Sequence, residues 1–485
     1  MEETQPLLGH TVEYEGATSE HPAVDFLKAG DPDNPRDWSS AYKRGIVSLL
    51  AFMAFTVTFA CIGVVPVTNS IIFDLDGKES KFASILLVTV WELGEAAGPL
   101  LIAPLSEIYG RYPIYNFANI LFVIGVGLSA LSQTSRTFIF ARFLTGLAVA
   151  SNVLNPSIIG DMFPTERQGS AMSLIMLAPL LGGAVGPAIS GAIAERFGWR
   201  TVLWASVVVA MTCELLFFTL LRETYKVPIL QRRAARLRKE TGDNSLRCAW
   251  ETDDESAWST LRTSIKRPLL VFLDSVVLQI LAIYGGIMFS GYYILATTLP
   301  DMLRDVYGFS PALTGLSFLA FSIGATGGVT IANMFSDSIY VKLGKSQGGP
   351  TPECRLPLMI GGAFGMPLAT TLYGWVPYAE WSVAILLMAV ALVGLIMMLI
   401  WVPLSLYIVE SFGLFSASGM TMVLVARCLG GTLLPLAIPP LTDSLGLGYG
   451  FLVLAAICAA LIPFPVALMR YGSKWRTKSK YTNQD

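Results

Sequence analysis

The sequence predicts an all-α membrane protein with twelve transmembrane helices in two pseudo-symmetric six-helix halves. Three observations carry this prediction. Only 14% of the 485 residues are charged and 53% are hydrophobic, whereas a soluble chain of this size carries about a quarter charged residues. The charges cluster, leaving tracts long enough for the ~20 apolar residues that cross a ~30 Å hydrocarbon core as a helix. The tracts also fall into two groups of six around one polar segment.

Eight tracts contain no charge: Gly45–Phe73, Tyr112–Ser135, Gln168–Ala194, Ser275–Pro300, Val306–Ser336, Leu356–Ala379, Trp381–Val409 and Ser444–Met469. Four more carry one or two charges: Phe82–Ser106, Phe138–Gly160, Trp199–Leu221 and Ser411–Thr442. A soluble helical core would show polar faces, and so many long tracts apolar on every side exclude it. The organisation expected is a polar tail over 1–43, a six-helix half over 44–221, a basic linker over 222–267, a second half over 268–470 and a basic tail over 471–485. The first 41 residues are polar, which argues against a cleaved signal peptide.

Lys and Arg mark the cytoplasmic side of short loops. The linker holds 11 Lys and Arg against 7 Asp and Glu, and the final tail adds Arg470, Lys474, Arg476, Lys478 and Lys480. Twelve crossings place both on one face, so both termini are expected in the cytoplasm. Arg196 and Arg200 cut mildly against this rule. The stretch Gln231-Arg-Arg-Ala-Ala-Arg-Leu-Arg-Lys-Glu240 reads as a cationic amphipathic helix on the membrane surface. Gly98…Ser106-Glu107 and Gly328…Ser336-Asp337 match at an offset of 230, a trace of an internal repeat of the kind that places a substrate site between two halves.

Several function classes are excluded. The six cysteines show no metal-ligand spacing, and His10 and His21, both in the N-terminal tail, are the only histidines. No metal, no cofactor and no enzymatic centre is therefore expected. No phosphate-binding GxxxxGK[ST] loop occurs, and nothing points to nucleic acid. The partners expected are membrane lipid, protons and a small organic substrate, with the chain acting as a monomer.

The motifs are more specific. Pro104-Leu-Ser-Glu-Ile-Tyr-Gly-Arg-Tyr-Pro-Ile-Tyr115 joins the second and third tracts, and Gly182-Gly-Ala-Val-Gly-Pro-Ala-Ile-Ser-Gly191 lies in the fifth. Arg142 opens Arg142-Phe-Leu-Thr-Gly146 within the fourth, where a lone arginine costs about 2.5–3.5 kcal/mol and so tends to have a paired or functional role. These segments resemble the signatures of the major facilitator superfamily, in the form found in fungal twelve-span drug:proton antiporters. Glu107, Gly110 and Arg111 fall on the loop signature, which departs from the pattern at Ala103, Glu107 and Tyr112. Gly182, Gly186, Pro187 and Gly191 fall on the antiporter element, with a departure at Ser190. Asp31–Trp38, Asp161–Arg167, Arg222–Tyr225, Pro352–Pro357 and Ser411–Phe415 extend the likeness from residue 31 to about 470.

The resemblance implies efflux of hydrophobic or amphipathic molecules, xenobiotics or a secondary metabolite of the host, driven by protons through alternating access. It links Arg142 to proton coupling. Glu92 and Glu95, three apart on one helix face, are the titrating groups expected, with Glu95 favoured. Asn152, Asn155, Gln279, Tyr284, Tyr292, Tyr293, Trp401 and Tyr407 are candidates to line a cavity for flat, greasy substrates. Glu214, Asp274 and Glu410 read as interfacial charges, and Arg427 has no evident partner. The alternatives are a proton symporter importing a small nutrient such as an organic acid or polyamine, and a receptor without transport. The plasma membrane is the expected location. Glu3-Thr-Gln-Pro-Leu-Leu8 fits an acidic dileucine signal and keeps a vacuolar membrane open.

Overall fold

The structure is a computed structural model that describes residues 24–26, 30–243, 246, 248, 257–347, 349 and 351–482, without the side chains of 152, 153, 165, 166, 257–261, 346 and 347. Helix α1 (Ser40–Ile62) starts at Ser39, whose hydroxyl accepts from the Tyr42 N–H, satisfying one of the orphan donors of a first turn. A Val65-Pro66-Val67 turn leads into α2 (Thr68–Asp76). Ser80 caps α3 (Lys81–Tyr109), and Gly110 at φ 102° turns the chain directly into α4 (Arg111–Leu131). Then follow α5 (Ser135–Leu147), α6 (Ser151–Met162), α7 (Thr165–Phe197) and α8 (Trp199–Leu220).

Between the halves lie α9 (Lys226–Thr241) and α10 (Ala257–Asp274). The second half contains α11 (Val276–Asp305), α12 (Pro311–Gln347), α13 (Leu356–Tyr378), α14 (Val383–Phe412), α15 (Ser416–Leu433), α16 (Ile438–Ala460) and α17 (Pro463–Arg476). Two of the expected boundaries fall inside helices, because α10 runs across 267/268 and α17 continues past 470. Among the described residues, nine helical stretches are long and apolar enough to cross a membrane. One of them, Val383–Arg476, has 94 residues and is turned at Gly413 (φ 46°) and Gly446 (φ 82°). The fourth tract is broken at Ala148–Ala150 into α5 and α6.

Small residues set how closely the helices approach. A Cβ added at Gly146 of α5 would lie 1.8 Å from the Trp91 carbonyl of α3, and one added at Gly324 of α12 would lie 1.8 Å from the Ala391 carbonyl of α14. Gly94 and Gly98 of α3 face α5 as Gly324 and Gly328 of α12 face α14. The offset of 230 thus holds in three dimensions, since equivalent glycines bring equivalent helices into contact. The halves meet along two seams, α7 against α12 and α3 against α15.

The basic helix forms as α9, but it is not a free amphipathic ribbon. Pro228, Leu230 and Ala234 are buried, and Arg233 reaches the buried Asp31 at 2.5 Å. Its apolar side is covered by protein, which corrects the expectation of a helix lying on lipid. The dileucine motif, His10 and His21 lie outside the described residues, as does the side chain of Asn152.

Candidate functional site

The α3–α15 seam carries a polar cluster in an apolar setting. Thr432 Oγ1 donates to the Thr89 carbonyl at 3.1 Å and fixes the two helices against each other. One turn further along α3, Glu92 and Glu95 are each 1% exposed. Glu95 Oε1 accepts from Arg427 Nη2 of α15 at 3.0 Å. Glu92 Oε1 accepts from the Tyr293 hydroxyl of α11 at 2.6 Å. Both carboxylates therefore cross the seam, and each uses a different helix of the second half.

Aromatic rings wall this cluster. The Arg427 guanidinium lies 4.4 Å from the Phe289 ring centroid and 5.6 Å from that of Trp401, within cation–π range. Phe289 packs on Trp401, Tyr292 and Tyr293 at 5.4, 6.3 and 6.1 Å, and Tyr292 continues to Phe321 at 4.7 Å. Cys428 brings its thiol within 4.8 Å of the two carboxylates. Two carboxylates and a thiol are donors that a metal ion could use, but the positive charge here comes from Arg427, already seated on Glu95.

The other expected site residues lie elsewhere. Arg142 is 2% exposed and donates to the carbonyls of Leu87, Ala60 and Cys61. It ties α5 to α1 and α3, and among the described residues it forms no ion pair. Asn155 accepts from the Tyr115 hydroxyl at 2.8 Å and donates to the Leu50 carbonyl. Gln279 donates to the Phe272 and Leu273 carbonyls at the α10–α11 joint. Tyr407 reaches Glu353, which also binds Arg476 at 3.0 Å. Tyr284 is buried away from the cluster, beside Cys458. Of the cavity candidates whose side chains are described, the structure brings only Tyr292, Tyr293 and Trp401 to the seam cluster. Their aromatic and amide character was readable in the sequence, but which helix faces them was not.

Arg427 is the residue that sequence reasoning left without a partner. The cost that singled out Arg142 applies equally to an arginine in the Ser411–Thr442 tract, so the signal existed. What was missing was its register against α3.

The loop signature builds a second cluster, at the end of the bundle that carries the linker. Glu223, just past α8, accepts from the N–H groups of Arg111 and Tyr112 at 2.8 and 3.2 Å. A carboxylate is thereby placed on the open N-terminus of α4. A Cβ at Gly110 would lie 2.2 Å from Glu223 Oε2, so only glycine admits that carboxylate. The Arg111 side chain bonds Ser106 Oγ at 2.5 Å and Asp161 at 3.4 Å, with Thr224 donating to the same Asp161 oxygen. Burial pushes the Asp161 carboxyl up to about 6, against the pull of Arg111 and Thr224. Glu107 interacts with Arg111 and with Arg267 of α10.

The second half repeats the arrangement. Arg355 binds Asp337 at 2.6 Å, Glu410 at 2.8 Å and Ser336 at 3.3 Å. Ser106, Arg111 and Asp161 thus correspond to Ser336, Arg355 and Glu410. Glu410, read from sequence as an interfacial charge, is one pole of this network.

The antiporter element packs on both sides. Gly182 and Gly186 lie against Phe55 and Phe59 of α1, while Gly191 meets Pro311 and Pro187 meets Gly315 of α12. At the end opposite the linker, Lys81 binds Asp443 at 2.6 Å and Asn69 donates to Asp301 at 2.5 Å, both between halves. A cavity of about 310 Å³ opens there, lined by these residues together with Thr297 and Thr442.

Two similar helical halves, close-packed on small residues and joined by a buried polar seam, define a multi-pass membrane transporter rather than an enzyme. The family model described as Major Facilitator Superfamily matches residues 46–435, and the chain belongs to that family. Among curated proteins it is 33% identical over 461 residues to the efflux pump radE of Floropilus chiversii, covering 94% of this chain and 85% of that protein. It is 31% identical to the MFS-type transporter hepF of Aspergillus oryzae, covering 96% of each chain. Among solved structures, a D-xylose-proton symporter aligns with a TM-score of 0.65 at 18% identity, covering 88% of this chain and 97% of that one. An inward-facing bacterial homolog of the human lysosomal transporter Spinster aligns at 0.60 and 13% identity, covering 92% of this chain and all of that one. These structural likenesses concern the fold.

Proposed function

We propose that this protein exports small hydrophobic or amphipathic organic molecules in exchange for protons, by alternating access of its two halves across twelve membrane crossings. Both termini then lie in the cytoplasm, and the plasma membrane is the site of action. The observation that carries this reading is the pair of carboxylates on α3, both buried and both bonded to the second half. A buried carboxylate is costly when ionised, and here its ionisation is tied to whether the halves touch. Proton arrival at Glu92 or Glu95 weakens one contact across the seam, and a two-state bundle then shifts toward the arrangement that tolerates the loss. The name of the radE relative, an efflux pump, and the close packing of the Gly182–Gly191 element support the outward direction.

The test is expression in an efflux-deficient yeast, following retention of a panel of dyes, antifungals and fungal metabolites with and without a protonophore. Export that collapses with the protonophore, and that Glu95→Gln abolishes when flux is normalised to the amount of protein in the membrane, is the expected result. Protonophore-sensitive accumulation reverses the direction and makes the protein a symporter. Unchanged flux of every compound leaves a receptor.

A further inference from the structure

Among the described residues, Glu92 Oε2, Trp91 Nε1 and Arg427 Nε are buried around the seam cluster with no hydrogen-bond partner. Buried donors and acceptors are nearly always satisfied, and an orphan invites a ligand or a water. Here one acceptor and two donors sit on side chains of the same aromatic-walled cluster. Trp91 packs on Tyr293 at 6.4 Å, and Tyr293 holds the other oxygen of Glu92. The face of Glu92 toward α15 carries no side chain at Gly431, where an added Cβ would come within 3.4 Å of Oε2.

We propose that the cargo is a flat conjugated molecule bearing both a hydroxyl or N–H donor and a carbonyl acceptor, and that its donor binds Glu92 Oε2. This assignment rests on the export reading above and narrows it. The ring stacks among Phe289, Tyr292 and Trp401, which favour planar π-systems. The donor answers the orphan carboxylate oxygen, and the carbonyl answers the Arg427 or Trp91 N–H. A purely cationic cargo would satisfy Glu92 but leave those two donors without acceptors, with the Arg427 charge close by. A carboxylate cargo would compete with Glu95 for Arg427.

The same atom sets the sign of coupling. Ionised, Glu92 Oε2 accepts the cargo's donor. Protonated, it carries its own hydrogen, and the bond to the cargo is lost. Proton and cargo are then alternatives at one oxygen, which is exchange rather than co-transport. The groups facing Glu92 are Glu95 on its own helix, Cys61 of α1, Tyr292 and Tyr293 of α11, and Arg427 and Cys428 of α15. Arg142 of α5 is occupied by main-chain carbonyls.

The experiment uses the purified full chain in detergent micelles and equilibrium dialysis of four radiolabelled probes: 2-hydroxyanthraquinone, its methyl ether, unsubstituted fluorene and tetraphenylphosphonium. Wild-type protein is expected to bind the hydroxyl compound at least tenfold more tightly than the methyl ether, and to lose that preference when the medium is acidified far enough to protonate Glu92. In Glu92→Gln the amide oxygen still accepts but no longer titrates, so the preference stays and its pH dependence disappears. Gly431→Val, which fills the space beside Oε2, weakens the hydroxyl compound severalfold more than fluorene; size-exclusion profiles verify that each variant is folded. Equal binding of the methyl ether, tighter binding of tetraphenylphosphonium, no saturable binding of the hydroxyl compound, or retained pH dependence in Glu92→Gln overturns the proposal. Proteoliposomes with an imposed pH gradient separate the two readings. Donor-dependent binding with proton-driven uptake rejects export and keeps the cargo class, whereas export without donor dependence does the reverse.

Discussion

Glu95 of α3 and Arg427 of α15 form a 3.0 Å ion pair between the two halves, with Glu95 1% and the Arg427 side chain 16% exposed. Arginine cannot shed its proton, so removing the carboxylate strands a buried cation. Glu95→Gln is expected to lower stability by roughly 3 kcal/mol, as breaking a buried pair does. Adding Arg427→Met should recover half of that or more while transport stays lost. Thermal unfolding of the purified single and double variants measures this. A double variant no more stable than the single one would show that the pair is not a unit.

The helix contacts at Gly146 and Gly324 leave no room for a methyl group, each Cβ meeting a main-chain carbonyl at 1.8 Å. Gly146→Ala and Gly324→Ala should each abolish monodisperse protein in size-exclusion chromatography. Gly361→Ala, with nothing within 4 Å of its added carbon, should be neutral or slightly stabilising, because alanine favours the helix by about 1 kcal/mol over glycine. Similar behaviour of all three would remove the argument that these two glycines set helix spacing.

Glu223 caps α4 through the Arg111 and Tyr112 N–H groups. Glu223→Ala should cost about 1–2 kcal/mol, the usual cost of a lost helix cap. Hydrogen exchange should show the loss first in the opening turn of α4, with the far end of the bundle unchanged.

Asp161 titrates near 6 because burial penalises its charge. Its folded value lies above the unfolded one, so the neutral carboxyl favours the fold, and that contribution fades as pH rises through about 6. The wild-type unfolding midpoint should fall as pH rises from about 4 to about 6, between the unfolded and folded values, and level off above. Asp161→Asn should flatten that decline, and Arg111→Ala should move it to higher pH, since Arg111 is what pulls the value down. An identical pH profile in Asp161→Asn would assign the decline to another group.

The Lys81–Asp443 contact is 62% and 58% exposed, so its energetic weight is small, about 0–1 kcal/mol. Its use is as a distance marker between α3 and α16. Cysteines at both positions, joined by a short bismaleimide, should stop flux if that end must open, and single cysteines treated alike should not. Undiminished flux in the joined protein would place the moving gap elsewhere.

Much of this molecule was readable locally. The offset of 230 between Gly98…Glu107 and Gly328…Asp337 predicted two similar halves, and the helix contacts repeat it. The loop signature marked Gly110 and Arg111, and the reason for the glycine is now visible in the Glu223 carboxylate against it. The basic segment at 231–240 predicted a helix, while its docking on Asp31 was invisible because Asp31 lies 202 residues before Arg233. For the cluster at the seam, the sequence marked Glu92 and Glu95 as costly and therefore suspicious. It also marked Arg142, whose charge the fold spends on three carbonyls, and it could not match Arg427 to Glu95.

The sequence by itself determined that the chain crosses a membrane repeatedly, in which tracts its long apolar helices lie, and which side chains are too polar for their surroundings. Those are properties of local composition, since helix length follows from apolar run length and a buried charge is costly wherever it sits. Only the tertiary structure decided which charge meets which. Glu95 and Arg427 stand 332 positions apart, on helices of different halves. Their meeting depends on rotation and depth of α3 against α15, which are set by small-residue packing and the Thr89–Thr432 bond rather than by anything either helix encodes alone.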